Sequence, residues 1–191
     1  MKKNWENTAE LYKIDRKRHI YDARSNVYNA TFLSPGIHPL LLHIGMFLSC
    51  IQKLASDEQN DWWLEKASKL EMVGCYAQTE LGHGSNVAGI ETTCTLDKAT
   101  DEWVLHSPTV TSTKFWPGGM GLWATHAVVF ARCIVGKNDY SVMPFLVQIR
   151  DRTAHKHMPG VKVGDLGSKF GYDAKDNGWI MFNQVRIPRT N

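Results

Sequence analysis

Twelve residues, Cys75 to Asn86 (CYAQTELGHGSN), set a phenol, an amide, hydroxyls, a carboxylate, an imidazole and two glycines side by side. Tyr76 and Gln78 offer a phenol and an amide, Thr79 and Ser85 offer hydroxyls, and Gly82 and Gly84 flank His83. The backbone there is expected to reach positive φ and to approach a ligand closely. Such a set suits a flat polar ligand. It equally suits a helix-to-strand turn whose polar side chains satisfy their own backbone, and this stretch alone does not choose. A second run, Lys114 to Gly121 (KFWPGGMG), places Phe115 and Trp116 ahead of Pro117, Gly118 and Gly119. Large rings beside backbone stripped of side chains fit a planar heteroaromatic ligand; a tight turn with an aromatic plug is the alternative. Two such loops from one small β unit can converge on one ligand.

Other chemistries find little support. Gly82 and Gly84 begin a GxG, but the third glycine of a dinucleotide fingerprint is replaced by Val87 and no strand is expected ahead of the loop. No GxxxxGK[ST] occurs. His155 and His157 have no third ligand nearby, so no metal is expected there. Cys50, Cys75, Cys94 and Cys133 form no CxxC pair and are expected to be buried, reduced thiols.

The elements that must position the two loops follow from periodicity. Trp5 to Asn26 reads as a solvated helix whose basic run Lys13, Arg16, Lys17, Arg18 is diluted by Glu10, Asp15 and Asp22. Ser34 to Pro39 breaks it. Leu40 to Leu54 is apolar on almost every side, as expected of a helix enclosed by other helices. Ser56 and Gln59 have capping-box spacing, and Trp62, Trp63, Ala67 and Leu70 continue a helix to about Glu71, ended by Gly74, with both tryptophans in the core. Beyond Asn86 the period changes to two: strands are expected over Ile90 to Leu96, around Trp103 to Leu105, and over Val110 to Thr113. His126 to Val135 and Ser141 to Arg150 are apolar on both faces and predict central strands; Trp179 to Ile187 predicts a last strand after the glycine-rich passage Gly160 to Gly178. Short spacings favour an antiparallel barrel or sandwich.

Composition excludes some partners. A chain of 191 residues can bury about 70% of its unfolded surface. A net charge of +3 is too small to demand nucleic acid, and the aromatics do not alternate with a basic stripe. The longest apolar run, Leu40 to Ile51, contains His43 and Ser49 and falls well short of the roughly 20 residues of a membrane helix. No signal peptide precedes it, and Arg189, Thr190, Asn191 is no import tripeptide.

The runs YAQTELGHGSNVAGIETTCTLD, HSPTVTSTKFWPGGMG, THAVV, VQIRD, VGDLGSKFGYDAKDNGW and VRIPR resemble, in order and spacing, the peroxisomal acyl-CoA oxidases, flavoenzymes related to the acyl-CoA dehydrogenases. The resemblance spans about Leu42 to Asn191; Met1 to Leu33 shows no counterpart. It implies an α+β fold in which a short helical N-terminal part is followed by an antiparallel β-barrel of the acyl-CoA dehydrogenase middle-domain type. The expected division is 1–74 helical and clipped, 75–191 a β-barrel that binds FAD, with the family's C-terminal helical domains absent. Carried over by position, Thr79 and Gly118 fall on flavin contacts, Tyr76 and Gln78 line the ring, Trp116 packs beside it, and Ser85 lies near the acyl thioester. Donors at the pyrimidine side would stabilise charge developing on the flavin. The implied reaction oxidises fatty acyl-CoA to trans-2-enoyl-CoA, with oxygen as acceptor, hydrogen peroxide as co-product and a homodimer in the peroxisome as the setting. The carboxylate that removes the α proton belongs, in the relatives, to a C-terminal helical domain, so no catalytic residue is expected in this chain and Glu80 is expected to support the flavin loop instead. An acyl-CoA dehydrogenase and a non-catalytic derivative that keeps the fold remain as alternatives.

Overall fold

A computed structural model describes Ile37 and residues 39–191. The solvated helix expected at Trp5 to Asn26, with its basic run, lies outside the described residues. Helices come first. A π-helical segment, His43–Leu48, runs without a break into α1, Ser49–Leu54. α2, Asp57–Ser68, opens with the expected capping box: Ser56 accepts from Gln59 N, and the Gln59 side chain accepts from Ser56 N. Leu70, at φ +58°, turns the chain out of α2, and Gly74 begins the next strand instead of ending the helix. Of the two tryptophans expected in the core, Trp63 packs against the helical cluster. Trp62 is 60% exposed, under the Lys66 ammonium.

Among the described residues nine strands follow: β1 Gly74–Ala77, β2 Thr93–Asp97, β3 Glu102–His106, β4 Lys114–Gly118, β5 His126–Val135, β6 Asn138–Gln148, β7 Val161–Asp165, β8 Asn177–Phe182 and β9 Val185–Pro188. β5 organises the larger sheet. β6 pairs along one edge as an antiparallel hairpin closed at Gly136, φ +63°. Along the other edge lie β1, on His126 to Val129, and β2, on Arg132 to Val135, both parallel to β5. The chain between them, residues 78–92, is therefore pushed out of the sheet. β3 and β9 extend it beyond β2, and β4, β8 and β7 form a second, antiparallel sheet.

This corrects the purely antiparallel expectation: the larger sheet is mixed. A strand does precede the Thr79 loop, and Lys114 to Gly118 is a strand where a loop was expected. Val110 to Thr113 is a turn: the Thr113 hydroxyl donates to Val110 O at 2.7 Å, and Ser112 and Thr109 bond each other's backbone. The stretch Trp179 to Ile187 is two strands in different sheets, separated at Gln184, φ +52°. β6 is an edge strand whose first residues are exposed, not a central one.

Period-two alternation makes β1, β5 and β6 a shared wall. Cys75, Ala77, Ala127, Val129, Ala131, Phe145 and Val147 face the barrel core with Leu105, Ile180 and Phe182. Tyr76, Val128, Phe130 and Leu146 face the other way, onto Phe47, Ile51 and Ala67 of the helices. Cys50, Cys75 and Cys94 are buried thiols and Cys133 is half-buried, all free.

Candidate functional site

The two singled-out stretches are zipped together by backbone. Phe115 N donates to Thr79 O at 2.9 Å, Leu81 N to Thr113 O at 2.8 Å and Gly82 N to Thr111 O at 2.9 Å, and Glu80 bridges Lys114. Glycine is needed at 82 for this approach, because a Cβ there would lie 2.8 Å from Thr111 Cβ. Neither Gly82 nor Gly84 takes positive φ. That conformation falls on Trp116, at φ +62°, where the β4–β8 ladder slips register between Phe115 and Gly118.

A buried ion pair holds the first loop from beneath. Lys114 and Glu80 have no side-chain exposure, and Lys114 Nζ donates to Glu80 Oε1 at 3.0 Å, Gln78 O at 3.1 Å and Phe130 O at 2.6 Å. Burial pulls the Lys114 ammonium down to about 8, with Glu80 acting against that shift. Glu80 also accepts from Glu91 N (2.8 Å), Thr92 N (3.0 Å) and Thr92 Oγ1 (2.5 Å). Both of its oxygens are thus committed, so it supports the loop and is unsuited to act as a base. Glu80, His83 and Glu91 lie close enough to share a cation, but Lys114 already balances Glu80. His155 bonds Leu122 O at 2.8 Å through Nε2. Arg150, buried, donates to Ala124 O at 2.6 Å and to Met120 O and Gly121 O at 2.8 Å, and so fixes the far end of the second loop.

The candidate residues divide. Tyr76 faces the helical layer, donates to Gln78 Oε1 at 2.5 Å and lies 5.0 Å from Phe130, centroid to centroid; burial holds its phenol above the ordinary range. Thr79 is half-buried beside Phe115, and among the described residues its hydroxyl makes no hydrogen bond. Trp116 is 59% exposed and Ser85 is exposed. Gly118 pairs with Asn177, and the place of its missing side chain is filled by Leu42. Sequence reasoning missed Lys114 and Arg150. For Arg150 the available signal was a cation closing an apolar strand pattern, which demands buried carbonyls or a carboxylate; Lys114 opened a stretch read as a loop and carried no such signal.

Residues 75–185 match the family model described as acyl-CoA dehydrogenase, middle domain, and residues 1–73 match acyl-coenzyme A oxidase N-terminal. This chain belongs to the acyl-CoA oxidase family. The N-terminal match also corrects the expectation that Met1 to Leu33 has no counterpart. Peroxisomal acyl-coenzyme A oxidase 1 of Arabidopsis thaliana is 52% identical over 151 residues, 78% of this chain and 23% of that protein. The solved Arabidopsis thaliana acyl-CoA oxidase 1 superposes with a TM-score of 0.88 at 44% identity, over 99% of this chain and 29% of that one. Acyl-CoA oxidase-1 of Caenorhabditis elegans, solved in complex with FAD and ATP, gives 0.78 at 45% identity over 80% of this chain and 24% of that one. The chain therefore spans about a quarter of the length of the acyl-CoA oxidases it matches.

Proposed function

We propose that this chain is the flavin-binding portion of a peroxisomal acyl-CoA oxidase, divided into a helical part over 1–74 and a β-barrel over 75–191. The observation that carries the reading is the pairing of the Thr79 loop with β4, which brings a residue with an uncommitted hydroxyl opposite Phe115, next in sequence to the exposed Trp116. The donor set fits FAD: the Thr79 hydroxyl and the Gln78 amide nitrogen have no partner among the described residues, and the Trp116 indole offers a stacking surface. Gly118 contributes backbone only, one face being covered by Leu42. Bound there, FAD would supply a two-electron acceptor for the β hydrogen of a fatty acyl-CoA, giving the trans-2-enoyl-CoA.

The residues of this chain bind and orient. Tyr76 and Gln78 brace the loop, Lys114 and Glu80 fix its height above β5, and Ser85 lies on the exposed rim where an acyl thioester would approach. Removal of the α proton is assigned to no residue here. Oxygen as final acceptor, hydrogen peroxide as co-product and a homodimeric whole enzyme belong to the same proposal, which the oxidase names of the relatives favour over a dehydrogenase. The test is the visible spectrum and fluorescence of FAD titrated with the full chain, followed by fatty acyl-CoA. Binding should quench flavin fluorescence and resolve the flavin absorption bands. An unperturbed flavin spectrum at saturating protein would remove the reading.

A further inference from the structure

The segment Lys175, Asp176, Asn177 grips the Trp116 loop at three points. Asn177 Nδ2 donates to Trp116 O, Gly119 N donates to Asp176 O and Leu122 N donates to Asp176 Oδ2, each at 2.8 Å. Lys175 Nζ, 3.1 Å from Asp176 Oδ1 and 3.0 Å from Pro39 O, ties the same segment to the helical side. The Asn177 bond matters most. Trp116 holds a left-handed backbone, sparsely populated by residues with side chains and stable only where the surroundings impose it. The β4–β8 ladder does not impose it, since its register slips there. Asn177, the ladder partner of Gly118, reaches back and takes the carbonyl that the ladder leaves out. That carbonyl also fixes which way the amide points, because an amide oxygen in the same place would repel it. Asn177 Oδ1 is consequently buried without a partner, a cost accepted to hold Trp116.

We propose that Asn177 is a positioning residue of the flavin site, acting through Trp116: its amide maintains the bulge that leaves the indole exposed beside the Thr79 loop. This rests on the flavin reading above. Asn177→Asp keeps the shape and puts a carboxylate oxygen where the donor was. In the full chain without FAD, exchange of the amides at Trp116, Gly118 and Gly119 should quicken by about tenfold or more while β5 amides stay protected. The FAD dissociation constant should rise by about tenfold. In a Trp116→Gly background, where left-handed backbone carries no side-chain penalty, Asn177→Asp should add nothing to either. Asn177→Ser, uncharged and smaller, is read the same way should the aspartate variant fail to fold. Unchanged exchange overturns the proposal, as does faster exchange with unchanged FAD affinity. Failure of the parent chain to bind FAD removes the flavin reading alone; exchange then still decides whether Asn177 holds Trp116.

Discussion

The backbone on both sides of Thr79 is engaged, through Gln78 O with Lys114 on one side and Thr79 O with Phe115 on the other, while the hydroxyl itself has no partner among the described residues. Its removal should therefore affect ligand and not fold. Thr79→Val, nearly isosteric, should weaken FAD binding by about tenfold and shift the melting temperature by less than about 2 °C, measured by flavin fluorescence and by circular dichroism. A large loss of thermal stability would mean that the hydroxyl serves the protein. Lys114 predicts the opposite pattern. Lys114→Met leaves the Glu80 carboxylate buried without its cation, beside two carbonyl oxygens that lose the same donor, and should destabilise the chain by about 3–5 kcal/mol. Adding Glu80→Gln should recover part of that, and strict additivity of the two changes in a urea-unfolding cycle would show that the pair is not coupled.

Three elements meet at His43. Gly74 N donates to Nδ1 at 2.9 Å, so the proton sits on Nε2, which donates to Ala67 O at 3.1 Å; the ring thereby joins the π-helical segment, the end of α2 and the start of β1. Burial, together with the nearby Lys175 ammonium and against the Ala67 carbonyl, pulls His43 down to about 4 from an ordinary 6.5. Between those values the unfolded chain binds a proton that the folded chain refuses, so stability falls as pH drops from 6.5 towards 4, by roughly 3 kcal/mol if the whole shift is expressed. His126, also pulled to about 4 by burial, acts in the same direction. His43→Leu should be less stable at pH 7 but should lose less on acidification, as read from urea midpoints at pH 7 and pH 5; an unchanged slope would clear His43 of the role. In the sequence His43 shows only as a polar interruption of the apolar run Leu40 to Ile51; its partners at Ala67 and Gly74 lie too far along the chain to be read there. The Ser56 to Gln59 box was legible because both partners are local, and the β5–β6 hairpin because Gly136 sits between two apolar runs. The parallel pairing of β1 and β2 with β5 was not legible, since it joins residues far apart and leaves no periodic mark. Val110 to Thr113 misled because threonine favours strands and also caps turns with its hydroxyl. The two candidate loops were legible by composition, but Lys114, which holds one to the other, looked like part of a loop.

At the scale of the molecule, the barrel and the helical layer share one wall. β1, β5 and β6 give alternate residues to each side, so neither layer can come away without stripping a face of the other. Phe47 sits in this joint. It is fully buried, stacked on the His43 ring at 5.5 Å, and occupies the place that a side chain at Gly74 would take. Phe47→Ala should cost about 3–5 kcal/mol, although it lies outside the strands that carry the candidate site. Shared burial predicts how that loss is distributed. Far-UV circular dichroism, dominated by the whole backbone, and tryptophan emission, reporting Trp63 on the helical side and Trp103 against Phe145 on the barrel side, should give coincident unfolding curves in the parent chain and in the variant. The variant's single transition should simply move to lower denaturant. If the helical signal instead melts first and β structure persists, the wall is not a joint. The Thr79 loop, which begins where β1 leaves that wall, would then be held by the barrel alone.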